Sequence, residues 1–376
     1  MRSVAKSHKR RSTQTISTLP DEIIALICKA CPPSDRASLL RVSKRFHQLG
    51  VGSLYRSILL TSCATVEILH RTVMLNAELA QLIRTLRVLL MNPTETLRTM
   101  EADFTTQLRM TISNTINIER LQIYSLSHLF PGPYAICVED SLPKRLTSLT
   151  LGFPWYTMRK RFCESVLTPF TSLEHLSLQC SGHFRTDYSV DVEVTLPKLV
   201  FYHGPSLLLK SLAHGSQKLS SLTLEVFTPT ELGDSLSDDQ TLKHLNRIGS
   251  KDEGGRDVAM LSFLKIVCDT QEAANAALEF IPQVEHLSLL CTLPDWITHG
   301  RLPSHDNFNL DFLSRTPSLR IFSLQYVHSK QFLPWDTGSI AESLGEMNAS
   351  LVEVNIYGNT YRKSITTTGK SWSRVL

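Results

Sequence analysis

Cys28-x-x-Cys31 has the spacing of half a zinc site or of a redox pair, because two thiols at that separation can reach one ion or each other. No second Cys or His pair follows at ligand spacing, and on a helix the two thiols fall near one apolar face, so core packing is the expected role. Gly369-Lys370-Ser371 has the ending of a phosphate-binding loop, but Ser364 stands where the first glycine of such a loop belongs. His175 and His286 occupy equivalent places in two copies of Glu-His-Leu-Ser-Leu, and too much chain separates them for a shared metal if those copies stack in order. There is no Gly-x-Ser-x-Gly elbow, no His-Glu-x-x-His and no paired carboxylate in an apolar setting. The expectation is a chain without catalytic residues, metal or cofactor, hence a binding protein and not an enzyme.

Composition sets the frame for what else the chain can be. At 376 residues, 42% hydrophobic and 20% charged, it exceeds one ordinary core, so two domains or a repeat array are expected. No uncharged apolar run approaches the roughly 18 residues that a membrane span needs. The start is basic and then rich in Ser, Thr and Gln, without the apolar stretch of a secretory signal. Eight scattered cysteines fit a reducing compartment, so the expected location is the cytoplasm, the nucleus or both. Arg2, Lys6, Lys9, Arg10 and Arg11 supply the positive balance, and the remainder of the chain is close to neutral. Residues 1–16 are expected as a disordered basic tail, either a solvated terminus or an import address; neither a nucleic acid nor a membrane is expected as a partner.

From residue 80 onward an apolar residue recurs at positions one, four and six of ten copies. The first copy is Ile83, Leu86 and Val88; the fifth is Leu196, Leu199 and Phe201; the last is Leu351, Val354 and Ile356. Apolar side chains two apart describe a short strand with one face buried, so positions four and six point inward and three, five and seven outward. Between copies lie helix-like stretches at Thr94 to Ser113, Thr270 to Phe280 and Ser339 to Asn348. Stacking such units buries a face that no single unit can bury. The longest return, about 228–257, is acidic and broken by Gly254-Gly255; it is expected as a mobile loop, either a gate or an insertion without a specific task.

Residues 17–60 read as a small helical module. Pro20 with Asp21 and Glu22 marks a helix start, and Ile23, Ile24 and Ile27 form an apolar stripe that ends before Pro32-Pro33. Ser34 or Asp35 is placed to cap a second helix carrying Leu39, Val42 and Phe46. A module this small buries too little surface to stand alone, so either a partner or the rest of the chain must cover it.

At Leu19, Pro20, Glu22, Ile23, Ile24, Ile27, Pro32, Pro33, Val42, Lys44, Arg45 and Phe46 the chain resembles an F-box, with Phe46 where the family usually has Trp and with Cys28 and Cys31 where aliphatics are commoner. Leu54 to Ile58 is similar to the segment that follows the F-box in many fungal F-box proteins. The repeats resemble the leucine-rich repeats common behind F-boxes, although Asn359 alone supplies the ninth-position asparagine and Cys180, Cys268 and Cys291 stand one residue early.

Together these imply an α/β fold: a short N-terminal F-box-like helical module at 17–60, an irregular leucine-rich-repeat solenoid with a curved parallel sheet at 61–363, and a C-terminal tail at 364–376. The implied function is substrate recognition in a Skp-cullin-F-box ubiquitin ligase, leading to degradation of the bound protein; the alternative is a non-degradative scaffold. The resemblance assigns Leu19, Pro20, Ile23, Ile24, Ile27, Val42 and Phe46 to a Skp-type adaptor, with a cullin scaffold beyond it. The outward positions Arg120, Tyr124, His175, Gln179, Tyr202, Lys265, His286, Gln325 and Tyr357 are the candidates for binding a protein substrate.

Overall fold

In a computed structural model, the residues described are 19–90, 97–125, 142–154, 167, 169–181, 194–205, 208, 212, 216, 218–226, 261–268, 284–291, 313–314, 316–326, 337–356, 358–366 and 369–375. The basic tail, the acidic return at 228–257, the stretch from Thr270 to Phe280 and Tyr357 lie outside them.

Three helices open the described part of the chain. Helix α1 spans Asp21–Ala30, with Asp21 and Glu22 in its first turn where carboxylates meet the positive end of the dipole. Helix α2 is Pro33–Leu39, preset by proline at its start. Helix α3 is Lys44–Tyr55, capped by Ser43, whose side chain accepts from the Phe46 amide at 3.2 Å. The cap at Ser43 corrects one expectation: Leu39, Val42 and Phe46 do not share a helix. Leu39 ends α2, Val42 sits in the intervening turn and Phe46 belongs to α3. Ile24, Cys28 and Phe46 form the module's own small core, flanked by Leu19, Leu39 and Leu49. Gly50 lets α1 and α3 approach closely, since a Cβ there would meet the Leu40 side chain and lie 2.8 Å from the Cys28 sulfur.

One residue after α3 the chain enters a sheet. Strand β1 is Ser57–Leu60, followed by β2 Thr85–Leu90, β3 Arg120–Ser125, β4 Ser148–Pro154, β5 His175–Ser181 and β6 Phe201–Pro205. Next come β7 Ser221–Val226, β8 Phe263–Cys268, β9 His286–Cys291, β10 Ile321–Tyr326 and β11 Glu353–Ile356. Each pairs in parallel with the next, in strict sequence order. The expected module boundary at residue 60 therefore falls inside the sheet, because Ile58 and Leu60 stand opposite Leu86 and Val88.

The registers put Leu86, Leu121, Leu149, Leu176, Tyr202, Leu222, Leu264, Leu287, Phe322 and Val354 in one inward row, and all ten are fully buried. Each such side chain contributes about 1.5–3 kcal/mol over its exposed state. Just before the strands, one carbonyl accepts two amides of the following repeat: Arg56 from Arg84 and Thr85, Arg84 from Glu119 and Arg120, and so on to Arg320 with Val352 and Glu353, except that the Ser262 carbonyl accepts from His286 alone. That bond pair fixes the stacking without the asparagines of a regular ladder.

The fifth copy is displaced by three residues from the expected position. Its inward pair is Tyr202 and Gly204, not Leu199 and Phe201; Leu199 takes position one and Phe201 faces outward. The Tyr202 hydroxyl reaches back to the Pro205 carbonyl at 2.8 Å and lies where a Cβ on Gly204 would stand. A large ring over a glycine thus replaces two leucines of ordinary size.

Helix α4, Cys63–Leu75, carries a Ser62–Thr65 capping box and packs Val66, Leu69 and Val73 into the continuous core. Helix α5, Ala77–Leu82, follows it, and α6, Leu97–Asn114, adds Phe104, Leu108 and Ile112. After β10 comes α7, Thr337–Met347. Residues 364–376, expected as a tail, prove largely structured: β12 Asn359–Thr366 and β13 Gly369–Val375 add two antiparallel strands and close that end of the array. Trp372 packs onto Gly345 of α7, so close that a Cβ there would clash with the indole. Asn359 opens this hairpin and stands outside the repeat ladder, while Gly369-Lys370-Ser371 lies within β13, paired along its length with β12, and not in a loop.

Candidate functional site

Helix α1 is apolar on two faces, and packing decides which one is spare. Successive helical residues are about 100° apart. Ile24 and Cys28 turn inward, fully buried, so Ile23, Leu26 and Ile27 turn out, 41%, 59% and 36% exposed. Pro20 is exposed beside them, and Val42 at the turn before α3 is 66% exposed. Of the seven residues expected to contact an adaptor, Pro20, Ile23, Ile27 and Val42 present surface. Leu19 is half-buried against the module core, and Ile24 and Phe46 belong to that core and offer nothing outside it. Leu26 was missed by sequence reasoning, although its place three residues after Ile23 was the available signal.

The module start is held by Arg45. Its guanidinium donates to Asp21 Oδ1 at 2.8 Å through Nε and to the Leu19 carbonyl at 2.6 Å, so the Leu-Pro-Asp turn is tied to α3 across 24 to 26 residues of sequence. At the other end, Arg36 donates to the carbonyls of Lys29, Cys31 and Ser53, satisfying the C-terminal end of α1 and joining it to α3. Cys28 and Cys31 are free thiols, and burial pushes the Cys28 thiol above its ordinary range. No group of three His, Cys, Asp or Glu among the described residues is placed to hold a metal.

The outward face of the sheet is the second surface. Registers place Arg120, Ser148, His175, Phe201, Ser221, Phe263, His286, Ile321 and Glu353 in one row. Within it His175 faces Phe201 with ring centres 6.0 Å apart, and Phe263 meets His286 edge-on at 4.7 Å. Burial lowers the His286 pKa, opposed by the Glu353 carboxylate two strands away. The next outward row is narrow: Thr150, Ser177, Thr223, Ser288 and Ser323 are nearly buried between bulkier neighbours. In it Ser177 Oγ lies 3.2 Å from His203 Nδ1, and His203 Nε2 lies 3.2 Å from Glu225 Oε1, a polar chain across three strands.

Among the expected substrate contacts, Arg120 and His175 are exposed, and Tyr124, Gln179, Lys265, His286 and Gln325 are half-buried on this face. The Tyr124 ring lies over Gly152 of the adjacent strand. Tyr202 is the exception, since the register shift sends it into the core. Arg120, His175 and His286 share a row but are spread over β3, β5 and β9, so they form no compact cluster. Phe201 and Phe263 of this row were not among the expected contacts; Phe201 was expected to face inward, and the three-residue displacement of the fifth copy turns it out.

With this geometry in hand, the F-box-like family profile matches residues 16–61, the module and its junction with β1. No curated protein matches the chain. Among solved structures, the crystal structure of a protein from Bacteroides fragilis is 13% identical with a TM-score of 0.41, over 81% of this chain and 74% of that one. No described helix is long and apolar enough to cross a membrane.

Proposed function

We propose that the chain is a substrate receptor of a Skp-cullin-F-box ubiquitin ligase, with leucine-rich repeats as its substrate-binding part and no catalysis of its own. The observation that carries this is the strip of Pro20, Ile23, Leu26, Ile27 and Val42. It leaves apolar surface in water on a module that already has a core, within a segment that matches the F-box-like profile. A Skp-type adaptor covers that strip and connects it to the cullin scaffold. Arg45 and Arg36 serve by holding α1 at a fixed angle, so the strip is presented ready-made.

The sheet is the holder of the substrate. Strands anchored by paired amides keep the outward aromatic row at fixed spacing, and α3 runs into β1 with one residue between, so adaptor and substrate sit on one continuous body. The contribution to ubiquitin transfer is proximity: a substrate lysine is held at high local concentration near a conjugating enzyme that other subunits supply.

The test is purification from cells with the proteasome inhibited. Adaptor, cullin and substrate are recovered together, and deletion of residues 17–55 removes the first two, keeps the substrate and lengthens its half-life. Unchanged half-lives for every recovered partner identify a non-degradative scaffold instead.

A further inference from the structure

Where the helical module meets the first strands, a cleft of about 720 Å³ opens between the end of α1, α2, the α3–β1 junction and the starts of β2 and β3. Lys29, Arg36, Arg56, Arg84, Arg87 and Arg120 line it, Glu119 is its one carboxylate, and the rest of the lining is uncharged. The fold itself gathers these cations. The Arg56 carbonyl accepts the Arg84 and Thr85 amides, Thr85 stands opposite Arg120, and Arg87 lies two residues further along β2 on the same outward side. Meanwhile the Arg36 contacts with α1 carbonyls bring Lys29 and α2 to the opposite wall.

Two of the six are already committed. Arg36 serves backbone carbonyls, and Arg84 donates to the Asn117 carbonyl at 3.2 Å with Glu119 at 3.8 Å. Lys29, Arg56, Arg87 and Arg120 have no side-chain acceptor among the described residues. Like charges converging on one concave site raise its potential, because the protein walls focus the field. Among the described residues that line the cleft only Glu119 offsets this, whereas a phosphoryl group would do so further, since its oxygens match the forked donors of a guanidinium. One phosphoryl group carries about −1.5 to −2 charges, well short of the balance of this site. The cations also close around one pocket instead of following a track, which is the arrangement for a compact anion and not for a polynucleotide.

We propose that this cleft binds a small anion carrying two or more phosphoryl groups. The proposal is independent of adaptor docking, and its test uses the purified full chain alone. Tripolyphosphate is titrated calorimetrically at fixed ionic strength, with sulfate as comparison. The expected result is saturable one-to-one binding, tighter than sulfate. It weakens at least about tenfold in Arg56→Gln with Arg87→Gln, the loss of charged hydrogen bonds being worth that much or more. Both side chains are exposed, so the melting temperature stays as in the unmodified chain. Glu119→Gln tightens binding, and Lys198→Gln with Lys218→Gln, remote on exposed turns before β6 and β7, leaves it unchanged. Equal affinity in the Arg56, Arg87 double variant, equal weakening in the remote pair, or no preference over sulfate overturns the proposal.

Discussion

Gly50 shows how a single missing Cβ sets the shape of the module. With Leu40 and the Cys28 sulfur pressed against it, Gly50→Ala forces α1 and α3 apart, and overpacking of this kind costs about 1–3 kcal/mol. Urea denaturation followed by a probe in the module should register that loss, while the solenoid transition stays put. His286 carries a pH dependence of definite sign. Burial favours its neutral form in the folded chain, so the unfolded chain takes up a proton first as pH falls. The associated stability is present above the ordinary histidine pKa and is lost as pH falls from there toward the lower folded value. His286→Gln should therefore flatten the decline in melting temperature between about pH 7 and 5. At this scale the sequence revealed residue types but not their direction: Ile23, Ile24 and Ile27 look alike in a string, and only the position of α3 makes Ile24 core and its neighbours surface.

Among elements, the strands were the most legible, because position-four and position-six leucines impose a period of two that packing then obeys. Nine of the ten copies keep the expected register. The fifth departs because Tyr202 over Gly204 fills the space of two leucines, a volume match that a search for aliphatic pairs passes over. Helix α4 was legible too, from Ser62 with Thr65 and the spacing of Val66, Leu69 and Val73, but a repeat-centred reading skipped it. The closing hairpin was not legible, since residues 364–376 lack the leucine pattern and gain their place by pairing with β11 through β12 and by seating Trp372 on α7. Interior strands should be costly to damage: Phe322→Ala in β10, fully buried, is expected to cost about 3–5 kcal/mol in equilibrium unfolding. Asn348 is a comparable tie. Its amide donates at 2.8 Å to the carbonyls of both Leu313 and Thr316, which also accept from Thr316 and from the Leu319 amide, so Asn348→Leu removes two buried hydrogen bonds without orphaning either carbonyl, at about 0.5–1.5 kcal/mol each in equilibrium unfolding.

At the scale of the whole molecule, a small helical unit with its own core abuts a long sheet with another, and a one-residue link at Arg56 holds them together. A short link of this kind leaves little freedom between the surface proposed for the adaptor and the face proposed for the substrate, which suits delivery by proximity. The architecture was readable from spacing, and the candidate adaptor strip was readable in part. The substrate face was readable only as a set of positions, because outward side chains are not constrained by packing and carry no periodic signal. The most direct test is calorimetric binding of the purified chain to a purified Skp-type adaptor, comparing the unmodified protein with Ile23→Asp and Ile27→Asp together. These residues are exposed, so the pair should leave the fold intact by circular dichroism while weakening binding at least about a hundredfold, as expected for charges placed in a desolvated apolar contact. Binding of the folded double variant with unchanged affinity would contradict the account.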